Sequence, residues 1–255
     1  MISFSKWFLK TFIEYSDMAK WQERTALMLG EDGLEKLRQS HVLVVGLGGV
    51  GAYAAEQLCR AGVGKMTIVD GDVVEQTNRN RQLPALQSQE GKPKAEVLGE
   101  RFLDINPELE LRIVNEYLKD ERMVELLHEA SYDYVVDAID TLAPKVFLIY
   151  HSIKANLPIV SSMGAGGKFD PSQVQQADIS KSYNCKLARM IRKRLHKLGI
   201  HKGVKVIFSP ESVDPQRVRI EEGQNKKSAV GTISYMPPFF GCFCASAVIR
   251  DLLDN

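Results

Sequence analysis

The sequence predicts an α/β fold: a doubly wound, mostly parallel sheet with an appended C-terminal α+β subdomain. Three observations carry that expectation. Short apolar, β-branched runs recur up to about residue 165, as expected of strands buried on both faces of a sheet. Segments of helical periodicity separate them, and this alternation implies parallel crossovers. A glycine cluster closes the first of these runs, where such a sheet places its ligand loop.

The elements follow in order. His41 to Val45 (HVLVV) is the first strand, ending at Gly46. Val50 to Ala61 reads as a helix and Met66 to Val69 as the second strand. Ala95, Leu98, Phe102 and Ile105 share one face of a helix over Lys94 to Ile105. Leu109 to Val114 alternates like a strand, and Tyr134 to Ala138 is again apolar. Pro144 suits the start of a helix capped by Thr141, and Pro158 to Ser161 supplies another strand. Past Gly164, Gly166 and Gly167 the pattern changes: a basic helix over Tyr183 to Leu198, a strand at Val204 to Phe208, a polar loop over Glu221 to Ser228, and a largely apolar terminal helix over Phe239 to Leu253. The expected organisation is an N-terminal extension over 1–17, a core over 18–165 and a C-terminal subdomain over 166–255.

Composition excludes several classes. A chain of 255 residues, 44% hydrophobic and 25% charged, can bury a core without staples. Cys59, Cys185, Cys242 and Cys244 include no CxxC pair, which argues against a zinc site and against a secreted disulfide framework. A reducing cytoplasm is the expected compartment. The opening MISFSKWFLKTFIEY is too short and too charged to span a membrane. It reads as an amphipathic tail or an over-extended start before Met18; membrane association through its apolar face is the alternative.

Gly46-Leu47-Gly48-Gly49-Val50-Gly51 follows a strand and opens a helix, the context in which glycines let a backbone approach a phosphate. Asp70 ends the next strand, where a carboxylate accepts ribose hydroxyls. That much suits NAD and ATP equally. The polar cluster Asn78-Arg79-Asn80-Arg81-Gln82 favours a triphosphate, because guanidinium groups pair with phosphate oxygens. Lys94 adds a further cation. Asp140, in Asp137-Ala138-Ile139-Asp140, leaves a strand at the sheet's carboxyl edge, where a carboxylate beside phosphates can hold Mg2+. Asp72 and Arg79 fit either a ligand role or a surface ion pair.

The order Arg24, GLGGVG, DGD, NRNRQ, Lys94 and DAID resembles the ThiF/MoeB/HesA adenylating family, within the ubiquitin-activating-enzyme-like superfamily, over roughly Trp21 to Gly164. The resemblance implies a Rossmann-type core that adenylates a carboxylate with ATP. It makes Gly46, Gly48, Gly49 and Gly51 the phosphate loop and Asp70 the ribose ligand. It places Asn78, Arg81 and Lys94 on the triphosphate and Asp140 on magnesium. Arg24 matches the arginine that family dimers insert into the other subunit's site, so a homodimer is implied.

Two features narrow the branch. The paired CxxC motifs of sulfur-carrier activators are missing, and Cys185, Cys242 and Cys244 read as packed residues rather than thiolates. The stretch from Lys181 to Lys205 carries Lys181, Lys186, Arg189, Arg192, Lys193, Arg194, Lys197, Lys202 and Lys205 with no Asp or Glu. A charge run is usually a solvated face, but one this segregated in a chain of formal charge +1 suits a phosphate backbone. Lys186, Arg189, Arg192, Lys193, Arg194 and Lys197 are its candidate RNA contacts. With Gly164-Ala165-Gly166-Gly167 and Asp170-Pro171, these features make the chain from Trp21 similar to the tRNA threonylcarbamoyladenosine dehydratase branch of the family. That resemblance implies tRNA as substrate, a structural monovalent cation beside Mg2+ and no zinc, and partners from the cysteine-desulfurase system. The competing readings are a sulfur-carrier or ubiquitin-like protein activator, an NAD(P)-dependent oxidoreductase, and a non-catalytic RNA- or protein-binding scaffold.

Overall fold

In the computed structural model, which describes residues 20–220 and 228–254, the apolar run His41–Val45 becomes strand β1, with Val42 to Val45 buried. It is the third of seven strands in one sheet. The others are β2 (Lys65–Val69), β3 (Glu110–Val114), β4 (Tyr134–Asp137), β5 (Ile159–Ser162), β6 (Gln175–Asp178) and β7 (Lys205–Phe208). Their order is β3-β2-β1-β4-β5-β7-β6. All neighbours are parallel except β6, which runs antiparallel to β7.

Helices cover both faces. On one lie α1 (Glu23–Gln39), α2 (Gly51–Ala61), α3 (Lys94–Ile105) and the terminal α7 (Met236–Asp254). They join in one cluster that includes Leu37, Ala55, Leu58, Leu98, Phe102, Phe240 and Val248. On the other face α4 (Asp120–His128), α5 (Leu142–Lys154) and α6 (Lys186–Lys197) contribute Met123, Leu126, Leu148, Ile149, Ile191 and Leu195. Each of the Leu, Ile, Val, Met and Phe side chains among these stabilises the fold by about 1.5–3 kcal/mol relative to leaving it in water.

Past the Gly164–Gly167 break the chain returns to the sheet, since β7 pairs with β5 and β6 with β7. A separate antiparallel pair, β8 (Val218–Ile220) and β9 (Ser228–Val230), leads to α7. This last helix is long and apolar enough to cross a membrane, yet half of its apolar window is buried within the fold. Its closest approach is to α2, where a side chain at Gly241 would meet the Val50 carbonyl at 2.5 Å. It is apolar because it is clamped between α2, α1 and the sheet. The expectations for residues 1–17, and for residues 221–227 of the polar loop, lie outside the described residues.

Two helices were not legible as such. Gly30 interrupts α1 with φ +73 and ψ 170, which breaks the apolar period. The other, α4, spans only nine residues. Thr141 does precede α5, but its side chain makes no capping hydrogen bond.

Candidate functional site

The strand order reverses between β1 and β4, the point at which a doubly wound sheet opens a crevice at its carboxyl edge. The loop after β1 is tied to both neighbours. Gly46 N donates to the Val69 carbonyl at 2.8 Å, and Ala138 N donates to the Val45 carbonyl at 2.9 Å. Gly46 has φ +89, and a side chain there would meet the Ala138 carbonyl oxygen at 2.8 Å. At Gly51 a Cβ would lie 1.7 Å from the Gly46 carbonyl oxygen. Glycine is therefore required twice for one turn. No side chain caps the start of α2, so the N–H groups of its first turn can serve an anion in the loop. Gly48 faces open space apart from Gln82 Nε2 at 3.7 Å, and Gly49 abuts Pro237 of α7. Gly51→Ala is expected to lower ATP affinity by more than about tenfold, since backbone cannot retreat from that Cβ. Titration calorimetry checks this, and unchanged affinity would remove the loop from the site.

Asp70 follows β2 and turns back over the loop. Its Oδ2 accepts from Leu47 N at 2.6 Å and its Oδ1 from Asp72 N at 2.8 Å. Burial raises its carboxyl above the usual range, while those amides and the Lys94 ammonium pull it back. Each carboxylate oxygen keeps a second lone pair for a hydroxyl ligand. Lys94, only 3% exposed, reaches Asp72 Oδ2 at 2.8 Å. Tyr117 donates to Asp72 Oδ1 at 2.5 Å, and this acceptor pushes its phenol up to about 12. Asp72 thus holds Lys94 beside the loop.

The polar cluster packs across the same crevice. Arg81 Nη1 donates to the Thr77 carbonyl at 3.0 Å and to Asn80 Oδ1 at 2.8 Å, which orients the guanidinium. Asn78 is buried and accepts from Glu75 N at 3.2 Å, closing a short 3-10 turn. Arg79 pairs instead with Glu90 at 2.5 Å, and Asn80 donates to the Thr232 carbonyl at 3.0 Å. Gln82 Oε1 is buried without a protein partner next to the loop, a polar atom that a ligand in the crevice would satisfy.

At the end of β4 the structure adds residues that the motif reading missed. Asp137 and Lys145 form an ion pair at 2.9 Å with both side chains 0% exposed. Ser161 donates to Asp137 Oδ2 at 2.6 Å and Ile139 N to Oδ1 at 3.1 Å. Lys145 also donates to the Ile139 carbonyl at 3.0 Å. The turn that presents Asp140 is therefore held from inside, while Asp140 itself is exposed at the carboxyl edge. The signal for Lys145 was a lone cation within the apolar stretch LAPKVFLIY.

Among the described residues no group of three or more His, Cys, Asp or Glu gathers to hold a metal. The carboxylate this edge offers a cation is Asp140; a Mg2+ ion commonly takes one or two carboxylates and completes its shell with phosphates and water.

The remaining candidates lie elsewhere. Arg24 is exposed in the first turn of α1, and among the described residues no hydrogen bond or ion pair joins it to the crevice. On α6, Lys186, Arg189, Lys193, Arg194 and Lys197 are exposed opposite the buried Ala188, Ile191 and Leu195. Arg192 is different. Its Nη1 donates inward to Ser182 O at 2.8 Å, Ser182 Oγ at 2.7 Å and Ile179 O at 3.2 Å, so its guanidinium is engaged in bracing the helix. Burial pushes the Cys59 and Cys244 thiols up to about 12, and Cys185 is buried at the start of α6. Cys242 is exposed, and its thiol is also raised.

A family model described as the ThiF family matches residues 22–255. The chain belongs to the ThiF family. Within that family, it is 42% identical over 240 residues to a Bacillus subtilis tRNA threonylcarbamoyladenosine dehydratase, covering 91% of this chain and 94% of the relative. A dehydratase of the same description from Haemophilus influenzae is 37% identical over 233 residues, covering 87% and 89% of the two chains. The crystal structure of the Escherichia coli tRNA N6-threonylcarbamoyladenosine dehydratase in complex with ATP superposes with a TM-score of 0.84 at 35% identity, covering 93% of this chain and 96% of that one. These relatives are matched nearly end to end, so the ThiF fold here spans the sheet, its extension through β7 and β6, and the terminal helix.

Proposed function

We propose that this chain uses ATP to dehydrate threonylcarbamoyladenosine in tRNA. The observation that carries the reading is the crevice at the β1/β4 switch point. There a glycine cradle, the ribose-facing Asp70, the cations Lys94 and Arg81, and the exposed Asp140 converge on one sheet edge. Relatives alike over nearly their whole length, one of them solved with ATP, support the same assignment.

A carboxylate is a poor electrophile until one oxygen becomes a leaving group. In the proposed reaction a carboxylate oxygen of the threonylcarbamoyl group attacks the α-phosphorus and pyrophosphate leaves. Ring closure at the activated carbon then expels AMP, which carries that oxygen away; the net change is loss of water. The protein's part is alignment and charge neutralisation. The loop amides and Gly48 to Gly51 receive phosphate, and Asp70 accepts ribose hydroxyls. Lys94 has three donors, of which Asp72 takes one, leaving the others for phosphate oxygens. Arg81 and Asn78 face the triphosphate, and Gln82 satisfies its buried oxygen on the nucleotide. Asp140 would hold Mg2+, which supplies neutralisation of the charge on the leaving pyrophosphate.

In this scheme residues 18–165 hold the nucleotide, and residues 166–255 contact the tRNA through the exposed cations of α6. The protein acts as a homodimer, with Arg24 of each copy reaching the other's site; its exposure, with no hydrogen bond or ion pair to its own crevice among the described residues, supports that role. Free thiols at all four cysteines suit a cytoplasmic protein. The burial of Cys59, Cys185 and Cys244 favours a route without a thioester.

Reversing Arg189, Lys193 and Arg194 to Glu is expected to weaken tRNA binding strongly and to leave ATP affinity unchanged. Each lost phosphate contact should flatten the dependence of log affinity on log salt by about one unit. Arg192 is kept, because its guanidinium braces the helix. A tRNA titration across a salt series checks this, and identical slopes for both forms would leave adenylation without RNA contact at α6.

A further inference from the structure

A second surface adjoins the crevice and is unused by the reaction just described. Phe169, Asp170 and Pro171 face Tyr235 and Phe239 across an open cleft of about 490 Å3. Phe169 is 58% exposed and Phe239 43%. Exposed aromatic side chains gathered from distant segments mark a contact surface, because isolated apolar exposure is ordinary but a cluster is not.

The backbone beneath both rings is pinned. Tyr235 donates its hydroxyl to the Phe169 carbonyl at 2.9 Å, and the two rings meet edge to face at 6.1 Å. The Glu211 carboxylate accepts from Phe169 N at 2.8 Å and from Asp170 N at 3.0 Å. Phe239 N donates to the Tyr235 carbonyl at 3.1 Å. The one acidic group in the lining is engaged, since Asp170 accepts from Ser172 N, Ser172 Oγ and Gln173 Nε2. The cleft therefore presents flat rings beside one ionised carboxylate, whose oxygens are already hydrogen-bonded.

Its position is equally specific. On one side Pro237 touches the Cβ position of Gly49 at 2.9 Å, and Asn80 of the polar cluster holds the Thr232 carbonyl at 3.0 Å. On the other side the segment leading into Phe169 begins at Gly164, whose Cβ position lies 4.0 Å from Leu187 of α6. The cleft thus adjoins the phosphate loop through the start of α7, and the segment that carries Phe169 leaves the sheet beside α6.

From this we infer that the cleft formed by Phe169, Tyr235 and Phe239 is a stacking site for an unpaired nucleobase of the RNA substrate. The inference rests on the reading of tRNA as substrate. An RNA whose reacting nucleotide reaches the loop has this surface within reach of its neighbouring nucleotides, because Pro237 of α7, the helix that carries Phe239, abuts Gly49. Single-stranded bases are recognised by stacking on aromatic rings, which tolerate any base. The cleft supplies the aromatic platform that the basic helix, with Tyr183 alone at its start, lacks.

The test uses the full-length protein and a single-stranded oligoribonucleotide carrying one 2-aminopurine, whose fluorescence falls on stacking. Phe239→Ala and Phe169→Ala should each weaken binding by about 5- to 100-fold, the range for one stacked base, and abolish the quenching. Phe239→Trp should restore both, Phe239→Leu should restore neither, and the salt slope should stay at its wild-type value because no charge is lost. Full rescue by leucine, or a changed sedimentation coefficient in the alanine variants, would overturn the inference and make the cleft an apolar contact or an interface between copies. If the wild-type protein binds this RNA in a salt-dependent way and both alanine variants match it, the stacking site fails and the tRNA reading stands. No RNA binding by the wild type overturns both.

Discussion

Asp140→Ala is expected to reduce ATP-dependent turnover on modified tRNA by at least about 10^3-fold while leaving the melting temperature essentially unchanged. Losing one preorganised charge contact costs about 10^2- to 10^3-fold, and a carboxylate that holds a metal forfeits the metal's contribution as well. The fold has little to lose at this position. Asp140 is exposed, and Asp137, Lys145 and Ser161 hold the turn that carries it from inside. Exposed substitutions of this kind usually stay within about 0.5 kcal/mol. Pyrophosphate release and a thermal melt, run side by side, read the two halves of the expectation. Wild-type turnover would dismiss Asp140 as the metal ligand, and a collapsed melt would show that its role is structural.

Lys145→Met is expected to do the reverse, destabilising the fold by about 3–5 kcal/mol, the cost of leaving a buried charge without its partner. The pH dependence is the sharper readout. Burial pushes the Asp137 carboxyl above the usual range, and the Lys145 ammonium, the Ser161 hydroxyl and the Ile139 amide pull it back. Removing the ammonium lets the folded-state value rise further above the unfolded value of about 3.9. Between those two values the unfolded chain releases a proton that the native state keeps, so stability falls as pH rises. The loss should therefore be small near pH 4 and grow toward neutral pH. Urea melts of both proteins at several pH values measure it. A pH-independent loss would mean that packing, not the ion pair, holds the turn.

The exposed edge position of Asp140 was legible in the motif, but the buried ion pair of Asp137 was not. The sequence by itself determined what depends on near neighbours. The glycine turn after β1, the alternation of buried strands and helices, the carboxylate at the end of β2 and the cations of α6 are all local patterns, since backbone conformation and side-chain period are set within a few residues. Tertiary structure decided what depends on topology. It joined Asp137 to Lys145 and Ser161 through the register of β4 and β5 and the packing of α5. It turned Arg192 inward to Ser182 while its neighbours stayed in water. It also brought Phe169 to Tyr235 across the end of the terminal helix, and carried the chain past Gly167 back into the sheet through β7. In each case the contact joins segments whose separation in sequence carries no period, so its geometry exists only once the sheet order is set.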